Sequence, residues 1–394
     1  MLQIAIFFSH PTQHHAPLFR ALAATGEVDL HVYYFHPGQA LAKGAFDRGF
    51  KAAYQWDVPL LQGYPYTILE RLWPLNTSQF LINKKIIAAI NHRPWDAIFI
   101  GGYSSPNNWL IAPYARTKQI PVFYFSDSNL LSPSRPLKEA VKRLVVPTFF
   151  RFISGFLYIG DHNYAYYRHR GVPPRKLFWS PIPVDMRRFV LTANQRRHHL
   201  AALRQNYAIP EESPVVLFVG KLIDYKRPLD LVQAILRMKL RQEVIALFVG
   251  EGPLREAVQA AGGAKVRVTG FINQSEMPSY YALGAILVIP SEKDAHPLAV
   301  TEAATLGVPA VISDCCGCFG PNDILRPGEN GYVYPCGNTD RLAEILTNLL
   351  QDEPLRQRLG TRAAELAMTQ DCTVAARSII NAVKSLPQLL HLRA

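Results

Sequence analysis

Short apolar runs alternate with helical patterns along most of this chain, and no other feature constrains its fold as much. The runs are four to six residues long, and residues that favour turns or helices follow them. The predicted strands are 3–8, 29–34, 97–100, 122–125, 155–159, 215–219, 244–249, 266–269, 285–289 and 309–312. Such alternation is typical of parallel sheets covered by helices. The sequence therefore predicts an α/β fold with two Rossmann-like, doubly wound domains that face each other across a cleft.

A polar, basic segment separates the two sets of strands. It spans residues 186–214, and we place the hinge between the domains there. The predicted domains are residues 1–195 and 196–375, followed by a helical tail, 376–394, that packs on the first domain. The predicted helices are 18–24, 79–91, 230–238, 254–260, 277–283 and 298–306.

Composition narrows the classes of function. The chain is 49% hydrophobic and 18% charged, which is typical of a folded globular protein, and its net charge of +12 favours anionic partners such as nucleotide phosphates. The basic residues are spread along the chain and no nucleic-acid module is present, so no binding to nucleic acid is predicted. Five cysteines without zinc-ligand spacing, and no secretory leader, predict a reduced cytoplasmic protein.

Two carboxylates, Asp294 and Glu302, lie eight positions apart across a predicted loop and helix start. Between them, His296 and Pro297 lie where the first helical turn should begin, because the fixed φ and missing N–H of proline are tolerated there, and Leu298 and Ala299 follow. The free backbone N–H groups at this end of the helix attract phosphate. Glu302 lies about 7 Å further along the helix, within reach of a ribose beside that phosphate. The alternative is that Asp294 only caps the helix and Glu302 is a solvated helix residue.

Further candidates follow the other predicted strands of the second half. Gly220, Lys221 and Lys226 come after strand 215–219, where two ammonium groups in a partly desolvated cleft would offset the charge of a departing diphosphate. Gly250 begins a tight turn after strand 244–249, and Arg255 occupies the position of the third glycine of a dinucleotide fingerprint, which disfavours a dehydrogenase. Phe271 and Ile272 follow strand 266–269 and are candidates to contact a base, although Phe271 is also compatible with a core position.

Taken in order, these motifs resemble the C-terminal domain of the family 4 retaining glycosyltransferases, also called group 1, which have the GT-B fold. Residues 171–189 are similar to the stretch that closes the N-terminal domain of that family. The resemblance implies an N-terminal domain that binds the acceptor and a C-terminal domain that binds a nucleotide sugar. It assigns Asp294 to the donor sugar, Glu302 to the ribose, and Lys221 and Lys226 to the diphosphate.

The first half departs from the family's pattern. Its glycine-rich loop is replaced here by the stretch 9–15, which contains His10, His14 and His15, candidates to orient an acceptor or ordinary polar loop residues. Asp127 follows strand 122–125, where the family often has a functional histidine, and it is the best N-terminal candidate to contact the acceptor or the reacting sugar. Tyr103 is a further acceptor candidate.

The resemblance implies a retaining transfer of sugar from a UDP- or GDP-sugar to a hydroxyl of a glycan, glycolipid or small molecule, as in polysaccharide biosynthesis. No enzyme nucleophile, cofactor or metal is expected, since no Asp-x-Asp box is present. Two alternatives remain on the same fold: a protein that binds a nucleotide sugar or glycan without catalysis, and a sugar-nucleotide epimerase.

A separate question concerns residues 135–146, in which Leu137, Val141, Leu144 and Val145 recur at helical spacing beside Lys138, Lys142 and Arg143. A basic amphipathic helix can lie peripherally on the anionic face of a membrane. The alternative is that this helix packs on its own domain. No stretch of the chain is predicted to span a membrane.

Overall fold

The computed structural model describes residues 1–38, 45–47, 52–54, 56–69, 85–131, 136–195 and 199–391. Within these ranges it contains two parallel sheets, with seven and six strands, and a short antiparallel pair. The strand order is 5-2-1-6-7-8-9 in the first sheet and 12-11-10-13-14-15 in the second, numbered in chain order. Both orders cross over near the first strand of the domain, as in doubly wound sheets.

The first domain carries nine strands and five helices in its described part. The strands are β1 Leu2–Phe8, β2 Val28–Tyr34, β3 Ala45–Asp47, β4 Ala52–Tyr54, β5 Tyr66–Ile68, β6 Ala97–Gly101, β7 Val122–Phe125, β8 Gly155–Tyr158 and β9 Leu177–Trp179. The helices are α1 His15–Ala24, α2 Ile86–Asn91, α3 Pro106–Thr117, α4 Pro136–Phe150 and α5 Asp161–His169.

The second sheet and the remaining helices make up the rest of the described chain. The helices are α6 Met186–Gln195, α7 His199–Asn206, α8 Pro228–Arg237, α9 Arg255–Gly262, α10 Met277–Ala282, α11 Leu298–Thr305, α12 Thr339–Gln351, α13 Glu353–Ala367 and α14 Cys372–His391. The strands are β10 Val215–Val219, β11 Ile245–Val249, β12 Val266–Gly270, β13 Ile286–Ile289, β14 Ala310–Ser313 and β15 Gly331–Tyr334.

The ten predicted strands are confirmed, each within one residue at either end. The sequence missed the short pair β3 and β4 and also missed β5, β9 and β15, which are three or four residues long and lie at a sheet edge. Edge strands are only half covered, so they lack the continuous apolar run that reveals a buried strand. Residues 79–84 of the predicted helix 79–91 lie outside the described residues, and α2 covers its second half.

The segment predicted as the hinge is largely helical. Met186 and Phe189 of α6 are buried in the core beneath the second sheet, together with Val184. Residues 196–198, at the predicted boundary, lie outside the described residues.

The chain returns to the first domain at its end. Ala376 and Ile380 of α14 are buried against α1 and the first sheet, and Lys384 of α14 donates to Glu27 at 2.6 Å. The tail predicted at 376–394 lies in this helix as far as residue 391. No helix in the described part of the chain is both long and apolar enough to cross a bilayer.

Two glycine positions are required for the close packing of loops at the sheet edges. Gly250 has φ +155°, and a Cβ there would lie 1.9 Å from the carbonyl oxygen of Gly220. A Cβ on Gly160, which follows β8 closely, would lie 1.9 Å from Oδ1 of Asp323 in the second domain. Side chains at these positions would force the loops apart, so the two glycines permit the close approach of backbone that forms the site.

Candidate active site

The carboxyl ends of the two parallel sheets meet at a junction between the domains. The side-chain amide of Asn129, in the loop after β7, donates to the carbonyl of Ala295 at 3.1 Å. The backbone N–H of Asp161, at the start of α5, donates to Oδ2 of Asp323 at 2.8 Å. In such sheets ligands bind at the carboxyl ends of the strands, so this junction is the candidate site.

Lys226 and Asp294 form an ion pair at the centre of the junction. Lys226 ends a 3-10 turn after β10, and Asp294 lies in the loop after β13. The backbone holds both loops, because Glu292 N–H donates to the Tyr225 carbonyl at 2.8 Å and Gly317 N–H donates to the Asp294 carbonyl at 3.0 Å. The side chains of the pair are 22% and 14% exposed, so each charge is partly desolvated and compensates the other.

Asp127, directly after β7 in the first domain, is within electrostatic range of Asp294. Burial within the surrounding protein raises its pKa, and the charge of Asp294 raises it further. Its side chain nevertheless reaches solvent, as expected of a group that lines a cleft. Lys221 is half-buried directly after β10. The structure thus brings Asp127 toward the Lys226–Asp294 pair.

The start of α11 corrects one detail of the prediction. Pro297 is not in the first helical turn but is the N-cap residue, with φ −66° and ψ 108°, and the helix begins at Leu298. Proline has no backbone N–H group. The first N–H groups without an acceptor inside the helix are therefore those of Leu298 and Ala299. Asp294 does not cap the helix, and that alternative is wrong.

His296 and Asp323 form a buried polar contact beside this helix start. His296 Nε2 lies 3.9 Å from Asp323 Oδ1, and the two side chains are 1% and 0% exposed. Among the described residues, neither ring nitrogen of His296 has a hydrogen-bond partner. Burial lowers the pKa of His296 to about 4 and raises the pKa of Asp323 to about 7. At neutral pH the imidazole is therefore uncharged, and its two buried ring nitrogens keep unused hydrogen-bonding capacity.

Glu302 is buried, so the alternative that it is a solvated helix residue is wrong. Its residue is 6% exposed, and its Oε2 accepts a hydrogen bond from the Tyr281 hydroxyl at 2.6 Å. Burial raises the pKa of Glu302, while the Tyr281 bond and the Arg188 charge oppose that rise. A buried carboxylate with only part of its acceptor capacity used by protein is suited to accept hydroxyl groups of a ligand.

Arg188 is a site residue that the sequence did not indicate. Its guanidinium donates to the Gln274 carbonyl at 2.7 Å and stacks 4.7 Å from the Phe189 ring, and its charge acts on both Glu302 and His14. It lies within the 171–189 stretch that resembles the family, one residue before Phe189, which was the available signal.

Comparison with known proteins identifies the second domain. The family model for glycosyl transferases group 1 matches residues 201–366. These residues therefore resemble a group 1 glycosyltransferase domain, and we refer to them as the group 1 domain. Over 172 residues the chain is 30% identical to alpha-D-kanosaminyltransferase of Streptomyces kanamyceticus, and over 177 residues it is 26% identical to N-acetyl-alpha-D-glucosaminyl L-malate synthase of Bacillus anthracis. The first match covers 42% of this chain and 44% of the kanosaminyltransferase, and the second covers 44% of this chain and 46% of the malate synthase. The chain thus spans about half the length of the relatives it matches.

Solved structures resemble the whole chain. The crystal structure of Anabaena HepE in complex with UDP superposes with a TM-score of 0.74 at 16% identity, covering 98% of this chain and 100% of HepE. This likeness confirms the predicted GT-B fold, and the family match confirms the predicted resemblance.

The base-binding candidates of the group 1 domain lie against the first domain. The ring of Phe271 meets that of Trp56 edge-on, with centroids 6.1 Å apart, and the Ser275 N–H donates to the Asp57 carboxylate at 3.1 Å. Gly250, with its turn, packs on the Gly220 loop, and Ile272 is partly buried. Phe271 is therefore not a core residue but part of the contact between the domains.

The three N-terminal histidines are close enough for the charges of His14 and His10 to lower the pKa of His15, but their rings have different partners. His10 stacks on His36 with centroids 4.9 Å apart, whereas His15 packs 4.4 Å from the Phe8 ring. Burial lowers the pKa of His14 to about 4, with help from the charge of Arg188, and lowers the pKa of His15 to about 3.

Of the three histidines, His14 is the best candidate for a ligand contact, because the charge of Arg188 acts on both His14 and Glu302. Tyr103 lies apart from these residues, near the charges of Arg170 and Glu139. In the part of the chain that the structure covers, no group of three or more His, Cys, Asp or Glu side chains is placed to hold a metal.

The His296–Asp323 contact gives a prediction for pH dependence. A histidine whose pKa falls to about 4 on folding binds fewer protons than in the unfolded chain, so its contribution to stability is complete above about pH 6.5 and is lost as pH falls. An aspartic acid whose pKa rises to about 7 acts oppositely: its contribution is complete below about pH 4 and is lost as pH rises.

We therefore expect His296→Asn to reduce the rise of the unfolding free energy with pH between about 4 and 6.5, by up to about 1.4 kcal/mol per pH unit. Asp323→Asn should make the same rise steeper. Urea titrations of the wild type and both variants across this range measure the slopes. Three parallel curves would show that neither group titrates there.

Proposed function

We propose that this protein is a retaining, metal-independent glycosyltransferase that moves a sugar from a nucleoside-diphosphate sugar to a hydroxyl of a carbohydrate or lipid-linked acceptor. The Lys226–Asp294 pair is the observation that carries this proposal. It joins the loop after β10 to the loop before α11, with the buried Glu302 on that helix. A cation, a helix start and two carboxylates thus surround the place where a nucleotide sugar would bind.

Stabilisation of the leaving group is the main chemical task assigned to this site. The glycosidic C–O bond breaks with its electron pair on the diphosphate, so negative charge grows there in the transition state. In the proposal, the ammonium groups of Lys221 and Lys226 stabilise that charge together with the N–H groups of Leu298 and Ala299. In the proposal Glu302 binds the ribose hydroxyls and Arg188, beside it, helps to hold the nucleotide.

Asp294 and His296 are assigned to the sugar itself. As the bond to the diphosphate breaks, the acceptor oxygen bonds to the anomeric carbon on the same face, and the acceptor's proton passes to the departing phosphate oxygen. This route retains the anomeric configuration and needs no enzyme nucleophile. In the proposal Asp127, whose pKa the charge of Asp294 raises, orients the acceptor or the reacting sugar.

Donor binding and turnover test the proposal separately. We expect one class of UDP- or GDP-sugar to raise the thermal midpoint, because a ligand that binds only the folded state stabilises it by about 2.7 kcal/mol at 100 times its dissociation constant. With a hydroxyl acceptor present, the same donor should release nucleoside diphosphate, and NMR should show a product with the donor's anomeric configuration. Chelator should leave the rate unchanged.

Each alternative predicts a different result. Binding without release of nucleoside diphosphate, and unaffected by Asp294→Ala, would indicate a non-catalytic binding protein. A new sugar nucleotide formed without acceptor would indicate an epimerase, and an inverted product would exclude the retaining route.

A further inference from the structure

Helix α4 exposes an apolar surface that nothing in the described structure covers. Leu137 is 79% exposed, Leu144 76%, Val141 53% and Val145 37%. These four residues define the α4 face. The sequence left open whether α4 packs on its own domain through these side chains. The structure shows that these four side chains do not pack on the domain.

The helix has two apolar sides rather than one. Val146, Phe149 and Phe150 are buried in the core of the first domain. At about 100° per residue, Leu137, Val141 and Leu144 lie within about 60° of one another and roughly opposite that buried side. Packing on the domain therefore explains one apolar side and leaves the α4 face without a role in the fold.

The flanks of the α4 face are basic. Lys138 and Arg143 lie on its two sides, and the only acid in the helix, Glu139, forms an ion pair with Arg170. A surface with apolar side chains in the middle and flexible cations at the edges matches the boundary between lipid headgroups and acyl chains, where such cations reach anionic headgroups. The net charge of +12 favours the same orientation.

The position of α4 connects this surface to the candidate site. Asp127 and Leu130 lie between β7 and α4 in the sequence, and Leu130 is 46% exposed. Burial lowers the pKa of Lys142 on α4, and the charge of Lys293, the neighbour of Asp294, is among the contributors. Lys142, in the middle of α4, is thus within electrostatic range of the loop that carries Asp294.

We propose that the α4 face docks the protein peripherally on an anionic bilayer, with the cleft close to the lipid surface. A second copy of this chain fits less well, because a symmetric contact through α4 would bring Lys138 and Arg143 of both copies together. The membrane proposal does not depend on the reaction that the site catalyses.

Vesicle sedimentation tests the proposal with the full chain. We expect the wild type to bind vesicles of equal parts phosphatidylglycerol and phosphatidylcholine at low salt, and to bind vesicles of phosphatidylcholine alone at least about 10-fold less. Leu137→Glu with Leu144→Glu should lower binding to the anionic vesicles at least about 10-fold, and Lys138→Glu with Arg143→Glu should do so in a salt-dependent way. Leu236→Glu is the matched control, since Leu236 is 49% exposed on α8 of the other domain, and it should bind as the wild type does.

Circular dichroism and the thermal shift with donor confirm that each variant is folded and binds its nucleotide sugar. Loss of vesicle binding with donor binding intact separates this proposal from the proposed function. Wild type that does not sediment with anionic vesicles at low salt would overturn the proposal, as would equal binding by the double leucine variant. A dimer in solution that the same variant dissociates would assign the face to a second copy.

Discussion

Lys226→Ala is expected to lower kcat by about 10²- to 10³-fold, the usual effect of removing one group that stabilises developing negative charge. The loss is expected in kcat because the diphosphate carries its largest charge in the transition state. The variant also leaves Asp294 without its cation in a partly desolvated site, where the carboxylate would repel the diphosphate. Steady-state kinetics with the donor identified by thermal shift measure both kcat and KM.

Variants of the same pair separate charge from geometry. Lys226→Arg keeps the positive charge and should recover part of the rate, and Lys118→Ala, at an exposed lysine of the first domain, should leave the rate unchanged. In the double variant Lys226→Ala with Asp294→Asn, the unpaired carboxylate is gone. The combined loss should therefore be smaller than the product of the two single losses. A Lys226→Ala variant with wild-type kcat would assign the ion pair to stability alone.

The sheets could be predicted from sequence because their strands are buried on both faces. Strands such as β10 and β13 lie between helices, so their composition is apolar throughout and their limits are visible in the sequence. The loops that follow such strands lie at one edge of the sheet. This geometry is sufficient to place Lys221, Lys226, Asp294 and Glu302 in one region without knowledge of their contacts.

The contacts themselves could not be predicted, because they depend on the relative position of the two domains. Nothing in the sequence shows that the ammonium of Lys226 reaches Asp294, or that Asp323 lies beside His296 and accepts a hydrogen bond from Asp161 of the other domain. Arg188 was missed for the same reason. Its role depends on Gln274 and Glu302, which are distant in sequence and belong to other helices or loops.

For helix α4, the sequence could not show which side faces the domain. Its spacing predicts an amphipathic helix, but residues at 137, 141 and 144 could equally face the domain or solvent, since both arrangements have the same period. The presence of a second apolar side, formed by Phe149 and its neighbours, decides between them only when the tertiary structure is known.

Glu302→Gln is expected to weaken donor binding by about 10- to 100-fold without lowering the stability of the protein. A hydrogen bond from a ribose hydroxyl to a carboxylate contributes about 1.5–3 kcal/mol, and the amide of glutamine keeps one acceptor but not the charge. Stability should not fall, because burial raises the pKa of Glu302. A carboxyl group whose pKa is raised on folding loses its stabilising contribution as pH rises through that pKa, so at neutral pH the neutral amide avoids the cost of a buried charge. Calorimetric titration with the donor and urea unfolding at neutral pH measure the two effects.

Tyr281→Phe is the matched comparison, because it removes the hydroxyl that Glu302 accepts and leaves the carboxylate in place. We expect this variant to be destabilised by about 1–3 kcal/mol, since it leaves a buried acceptor without its protein partner, and to bind donor with a much smaller loss than Glu302→Gln. Tyr281→Phe should therefore lose more stability, and Glu302→Gln should lose more donor affinity. This combination is expected when a tyrosine holds in place a carboxylate that binds the ligand. If Glu302→Gln instead destabilised the fold and left donor affinity unchanged, the carboxylate would belong to the core, and the ribose would have to be bound by Arg188 and the start of α11.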